Sequence, residues 1–197
     1  VIQYIYNTIR LSNYKYKLLE FEDDLSLLKD TTYYVSPNYT GIHSLLVFVR
    51  LNEKYLSFIV DRKTLTYNFN QIDYNRIKII PVSIRLDEEI YKGTIFDGVL
   101  LYNTIDKMKH FVVNDLYYLR GQEVTNDKIT NKIVNLSTYL DSVKPGEKID
   151  NHIDNLILIP NKLYNLKDIK QLVNMYIPKS KYDKAIKGIS FYPEYSG

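Results

Sequence analysis

Residues 45–60 read Leu-Leu-Val-Phe-Val-Arg-Leu-Asn-Glu-Lys-Tyr-Leu-Ser-Phe-Ile-Val. Two apolar, β-branched and aromatic runs, 45–49 and 55–60, flank the short polar turn Leu51-Asn52-Glu53-Lys54. Each run has the length of a strand. The gap between them is hairpin-sized, which joins antiparallel neighbours and leaves no room for a crossover helix. Working outward, further runs of the same kind occupy 64–69, 77–84, 95–102 and 111–119, with Asp61-Arg62-Lys63 as another turn. The spacing predicts an antiparallel sheet region from Tyr33 to Leu119.

Helical periodicity lies on both sides of this region. Leu18, Phe21, Leu25 and Leu28 recur at steps of three and four, with Glu22, Asp23 and Asp24 between them, and predict an amphipathic helix. Ile129, Ile133, Leu136 and Leu140 predict a second helix that ends before Pro145-Gly146. A buried strand follows at 156–159 and stops at Pro160. Leu166, Ile169, Leu172, Val173 and Tyr176 predict a third helix, capped by Asn165 and ended before Pro178. Without internal repeats, low-complexity tracts or a dividing linker, residues 1–197 form one α+β domain.

Composition narrows the function. With 45% apolar and 25% charged residues and a net charge of +3, the chain is neither disordered nor strongly polybasic. It contains no uncharged apolar stretch of about 18 residues, so no membrane helix is expected. Val1 to Arg10 lacks a signal-peptide layout, and the expected compartment is the cytoplasm. There is no cysteine, which removes disulfides and thiolate chemistry. His43, His110 and His152 lie far apart, so no metal or other cofactor is expected. Tyrosine occurs 20 times and tryptophan not at all. The abundance of Tyr, Ile, Asn and Lys, all encoded by AT-rich codons, suits an AT-rich protist or a large DNA virus. From Pro160 onward seven lysines face only Asp168, Asp183 and Glu194. That basic segment is either a solvated face or a surface for phosphate.

Four segments place polar residues at the ends or turns of apolar strands: Asn38-Tyr39-Thr40-Gly41-Ile42-His43, Gly93-Thr94-Ile95-Phe96-Asp97-Gly98-Val99, the run 111–121 containing Asn114-Asp115-Leu116-Tyr117-Tyr118, and Asp154-Asn155-Leu156-Ile157. A carboxylate in apolar surroundings is expensive unless paired. Asp97, Asp115 and Asp154 could therefore converge on one cleft. The alternative is that Asp97-Gly98 and Asp154-Asn155 are plain turns.

In order, these segments resemble the covalent nucleotidyltransferases, that is, mRNA capping guanylyltransferases and ATP-dependent polynucleotide ligases. Residues 38–43 align with the first motif, K-x-D-G-x-R. Asp61-Arg62 resembles the Asp-Arg pair that follows in capping enzymes, and Phe96-Asp97-Gly98-Val99 the motif F-D-G-E. Asp115 resembles the aspartate of the next strand motif, and residues 154–157 the motif D/E-G followed by two apolar residues. The resemblance implies twisted antiparallel sheets with flanking helices and a nucleotide cleft between them.

Several family residues are replaced. Asn38 stands for the attacking lysine, and an amide nitrogen has no lone pair free to attack phosphorus. Thr40 stands for an aspartate, His43 for an arginine, Val99 for a glutamate that contacts ribose and metal, and Asn155 for a glycine. Asn114 stands where an aromatic ring often stacks on the base. Lys184 or Lys187 is the nearest counterpart of the late lysine motif. The resemblance extends to snurportin, whose domain of this type binds a methylated cap without the lysine. It implies a catalytically inactive domain that binds a capped RNA end or guanine nucleotide non-covalently. The expected ligand-contacting residues are Asn38, Tyr39, Thr40, His43, Arg62, Asp97, Asp115, Tyr117, Asp154 and Lys187. A cationic methylguanine would stack on tyrosine, and strand alternation would put Tyr117 and Tyr118 on opposite faces.

Two alternatives stand beside this reading. One is a structural subunit of an mRNA-processing or transcription assembly that contacts other protein subunits. The other is an active guanylyltransferase using a displaced lysine such as Lys29, Lys54 or Lys92. No membrane and no sequence-specific DNA partner is expected. The chain opens on Val1 and stops at Gly197, as expected for a processed chain or a domain excised from a longer protein, and the oligonucleotide-binding domain that follows in capping enzymes is not in the sequence.

Overall fold

A strand with one wet face alternates, whereas one covered on both faces can be apolar throughout. Residues 44–49 are all buried. In the computed structural model, which describes residues 1–82, 84, 86–143 and 156–196, they lie in β2 (Ile42–Leu51). Leu46 and Phe48 enter one core with Ile59, Phe96, Phe111 and Leu136. Leu45, Val47 and Val49 enter a second with Ile2, Ile5 and Tyr117. The first core is roofed by α2 (Ile129–Ser142) and the second by α1 (Ile2–Thr8).

The remaining strands are β1 (Tyr33–Tyr39), β3 (Lys54–Asp61), β4 (Ile79–Pro81), β5 (Thr94–Asn103), β6 (Met108–Leu119), β7 (Gln122–Glu123), β8 (Leu156–Pro160), β9 (Tyr164–Asn165) and β10 (Ile186–Pro193). One sheet has the order β4-β3-β2-β5-β6-β7, with β8 also beside β6; a smaller sheet has the order β10-β1-β9. The expected hairpin pairs Leu51 with Lys54 and Leu45 with Val60. The α+β architecture of antiparallel sheets and helices is as expected, except that β8 runs parallel to β6. Among the described residues, no helix is long and apolar enough to cross a membrane.

Several local expectations fail for identifiable reasons. Residues 64–69 are not a strand: Asp61 accepts from the Lys63 amide at 2.9 Å and the Thr64 hydroxyl donates to the Asp61 carbonyl at 2.7 Å, which winds the chain into a 3-10 turn over Arg62–Thr64. The run 77–84 shrinks to Ile79–Pro81 at the sheet edge, where Pro81 has no amide hydrogen to extend the ladder. The helix expected around Leu18–Leu28 is a 3-10 segment, Glu22–Leu28, with no buried residue. Leu18 and Phe21 are more than 70% exposed, so no packing enforces the α period. The true first helix, α1, is too short to stand on propensity. It holds because Ile2 and Ile5 are buried, at ~1.5–3 kcal/mol for each such side chain.

The third helical run spans 166–179 and includes a π segment, Leu172–Tyr176. The wider π turn breaks the three-four stripe, and Leu172 is buried while Val173 and Tyr176 are exposed. Pro178 lies inside its last turn, Ile177–Lys179, and Asn165 makes no side-chain cap.

Gly98 lies in mid-strand, not in a turn, and pairs with Ser44 and Val113. A Cβ there would sit 2.1 Å from the Val112 carbonyl oxygen and 2.7 Å from the Phe111 ring. Because the obstruction is backbone, β5 and β6 would have to part. Gly98→Ala is expected to destabilise the domain by ~3 kcal/mol or more. A urea midpoint within error of the parent would refute this.

Candidate functional site

The neighbouring strands β5 and β6 carry Asp97 and Asp115 as paired residues. Asp97 is fully buried. A charge in that position needs partners from every side, and it has four. Its Oδ1 accepts from His43 Nε2 at 2.9 Å. Its Oδ2 accepts from Arg62 Nη1 at 2.9 Å, the Tyr117 hydroxyl at 2.9 Å and the Tyr16 hydroxyl at 2.6 Å. Burial alone would raise the Asp97 pKa, but the hydrogen bond from His43 and the Arg62 charge outweigh it and hold it at about 2. Burial likewise works against the Arg62 charge, and the carboxylate more than offsets it, so that guanidinium is raised. Burial and then Asp97 push the Tyr117 phenol well up, and the Tyr16 phenol rises for the same two reasons, its hydroxyl end being seated on Asp97 while about half of the residue stays exposed.

β6 reaches this hub through two bulges, which leave Asn114 and Tyr117 opposite no residue of β5. The bulge overrides the alternation expected for Tyr117 and Tyr118, and both side with the α1 core. Tyr117 is 1% exposed. Its ring lies 4.3 Å from that of Tyr14, and Tyr14 also accepts from Arg62 through its carbonyl. In place of the expected exposed stacking surface, Tyr117 is a core ring whose hydroxyl serves Asp97. Asn114 is held by the Asn161 amide at 2.8 Å, and that same amide donates to Ser36 at 3.1 Å.

Asp115 forms a second buried cluster. Lys132 of α2 donates to it at 3.1 Å, and Ser196 at 2.5 Å. Lys132 is 1% exposed. Burial raises the Asp115 pKa, with Lys132 pulling the other way.

His43 apart, the first-motif candidates sit where β1 turns into β2. Asn38 is exposed; its amide donates to the Lys187 carbonyl at 3.1 Å and its carbonyl accepts from Ser190 at 2.9 Å, which ties β1 to β10. The Thr40 amide donates to the Ala185 carbonyl at 2.6 Å. Tyr39 packs edge-on against Tyr182, and burial pushes its phenol up to about 12. The Lys187 side chain is exposed, as are the other six lysines after Pro160. Among the candidate residues the structure therefore gathers His43, Arg62, Asp97 and Tyr117 around one carboxylate, seats Asp115 beside them, and leaves Asn38, Tyr39, Thr40 and Lys187 on the rim formed with β10. Asp154 lies outside the described residues. Lys29, Lys54 and Lys92 are exposed, and Lys92 is paired with Glu89 at 2.6 Å.

Tyr14, Tyr16, Lys132, Asn161 and Ser196 complete these clusters without having been singled out from the sequence. One signal was present: Lys132 follows Ile129 by three and precedes Leu136 by four, which puts it on the apolar face of α2. The tyrosines carried no such signal among 20 of their kind. The Val99 side chain supplies no oxygen, Asp97 is saturated by donors, and among the described residues no three His, Asp or Glu side chains are grouped to hold an ion.

The chain is similar to an uncharacterized protein of Acanthamoeba polyphaga mimivirus, 22% identical over 124 residues, which take in 63% of this chain and 36% of that protein. The aligned stretch thus spans about a third of the viral relative. A sequence model of the mRNA capping enzyme catalytic domain matches residues 20–191. That match runs from the segment before β1 into β10 and takes in Asp97 and Asp115, and the chain belongs to the mRNA capping enzyme catalytic domain family.

Proposed function

We propose that this domain is a catalytically inactive member of its family that binds a guanine nucleotide or capped RNA end without forming a covalent bond. The observation that carries the reading is Asn38. The residue aligned with the attacking lysine is an amide, and both of its polar atoms are hydrogen-bonded to β10. Among the described residues the one lysine buried beside the carboxylates, Lys132, is engaged by Asp115 and Ser196. An ammonium held that way has no lone pair to offer phosphorus. What remains open to a ligand is the rim of Asn38, Thr40 and Lys187 and, at the Asp97 hub, the half-buried His43 and the exposed Tyr16. These groups can stack on a base and meet phosphate oxygens, which is recognition without transfer.

Incubation with α-labelled GTP and magnesium or manganese is expected to leave no label on the denatured protein, while a methylated cap analogue or GTP is bound at up to millimolar ligand. The Asn38→Lys variant is also expected to remain unlabelled, because Thr40, Val99 and the saturated Asp97 still lack the rest of the chemistry. A covalent GMP adduct on the parent chain would overturn the proposal. A second reading, an interaction subunit that kept only the fold, is favoured by the closure of Asp97 behind four donors. Loss of all nucleotide binding would select it.

A further inference from the structure

On the α1 side lies an open cleft of about 540 Å³ lined by residues of two segments, 6–12 and 67–71. The volume falls within the ~300–1,000 Å³ of small-ligand sites. No lining residue is acidic. Tyr67 and Phe69 are 52% and 43% exposed, although both belong to a residue class that normally buries its rings. Tyr6 meets Phe69 edge-on at 5.5 Å and donates its hydroxyl to the Thr66 carbonyl, so the wall is fixed. The Lys15 ammonium stands 4.5 Å from the Tyr67 ring centre. Among the described residues, the Arg10 guanidinium and the side-chain amides of Asn68, Asn70 and Gln71 have no hydrogen bond or ion pair.

Half-exposed rings, unengaged amides and an unpaired guanidinium, with no carboxylate in the lining, form the chemistry that receives unpaired nucleotides. Rings stack on bases, amides meet base edges, and cations take phosphate. We infer that this cleft binds single-stranded RNA through its bases and backbone, independently of a cap. The placement suits that role. Arg10 and Ser12 line the cleft, and the same segment continues to Tyr14 and Tyr16, which touch Arg62 and Asp97.

The test is fluorescence anisotropy of labelled, uncapped oligoadenylate and oligouridylate of about ten nucleotides, within the usual footprint of such sites, with a cap analogue titrated separately. The expected result is salt-dependent binding that Arg10→Gln and Tyr67→Ala each weaken by ~10-fold, the order of one lost base or phosphate contact, with cap-analogue affinity and thermal midpoint unchanged. Both residues are exposed, so the variants should fold. No binding of either oligonucleotide would overturn the inference, as would binding that survives both substitutions together, which would place RNA on the lysine-rich face after Pro160. A protein partner displaced by these substitutions while oligonucleotides fail to bind would also overturn it. Failure of the cap analogue alone counts against the reading of the rim and leaves this cleft as inferred.

Discussion

Asp97→Asn is expected to cost the domain ~3–5 kcal/mol, the range found when one partner of a buried ion pair is removed. The substitution changes almost no volume, so packing is not the cause. It removes the charge that the nearly buried Arg62 requires, and it turns one acceptor oxygen into a donor facing other donors from His43, Tyr16, Tyr117 or Arg62. A buried donor left without an acceptor pays its full desolvation. Urea denaturation at neutral pH should show a lower midpoint with an unchanged slope, since the surface exposed on unfolding is the same. A loss below ~1 kcal/mol would mean that the hub holds nothing together. If the variant does not fold, Arg62→Lys provides the second arm, because an ammonium cannot span both Asp97 and the Tyr14 carbonyl as the guanidinium does.

The same carboxylate sets an acid limit. Its folded pKa of about 2 lies below the ordinary 3.8, so the unfolded chain takes up the proton first as pH falls. The contribution is complete above pH ~5 and lost through pH ~4 to ~2, amounting to ~2 kcal/mol. Asp115 works in the opposite sense: its pKa is raised by burial, so the folded state binds that proton more readily and offsets part of the loss. In Asp97→Asn the acid decline should therefore be shallower than in the parent.

The sheet was legible because burial on both faces writes itself as an unbroken apolar run, and Leu45–Val49 with its four-residue turn could be little else. The hub was half legible. Phe96-Asp97-Gly98 showed that a carboxylate stood in an apolar strand, and Gly98 is explained by a backbone oxygen 2.1 Å from where a Cβ would be. What closes over the carboxylate was not legible, since Tyr16 comes from 81 residues away and nothing local marks one tyrosine from another. The amphipathic pattern at Leu18–Leu28 misled for the converse reason. A stripe directs a helix only where there is a core to receive it, and Leu18 and Phe21 face solvent. Bulges are equally silent in sequence, and the one at Tyr117 turned an expected base-stacking ring into a hydrogen-bond donor.

The pair Lys132 and Asp115 should show the strongest non-additivity in the molecule. Lys132→Met leaves a carboxylate that is 6% exposed without its cation, and Asp115→Leu leaves an ammonium that is 1% exposed without its anion. Each is expected to cost ~3–5 kcal/mol at neutral pH. The two are not equivalent. An abandoned carboxylate can escape by taking a proton, and Asp115 already has a raised pKa, so the Lys132→Met penalty should shrink as pH is lowered toward ~5. The double variant replaces the pair by apolar side chains and should recover most of the loss, giving a coupling of at least ~2 kcal/mol. Ser196, which donates to Asp115 and accepts from Lys132, would keep one idle hydroxyl and limit the recovery by ~1 kcal/mol. A coupling below ~0.5 kcal/mol, the level of independent sites, would contradict this account. The contrast matters for function because a lysine that exists to neutralise Asp115 can be exchanged together with it, whereas a lysine kept for nucleotide chemistry could not be removed without loss of activity, whatever happened to its partner.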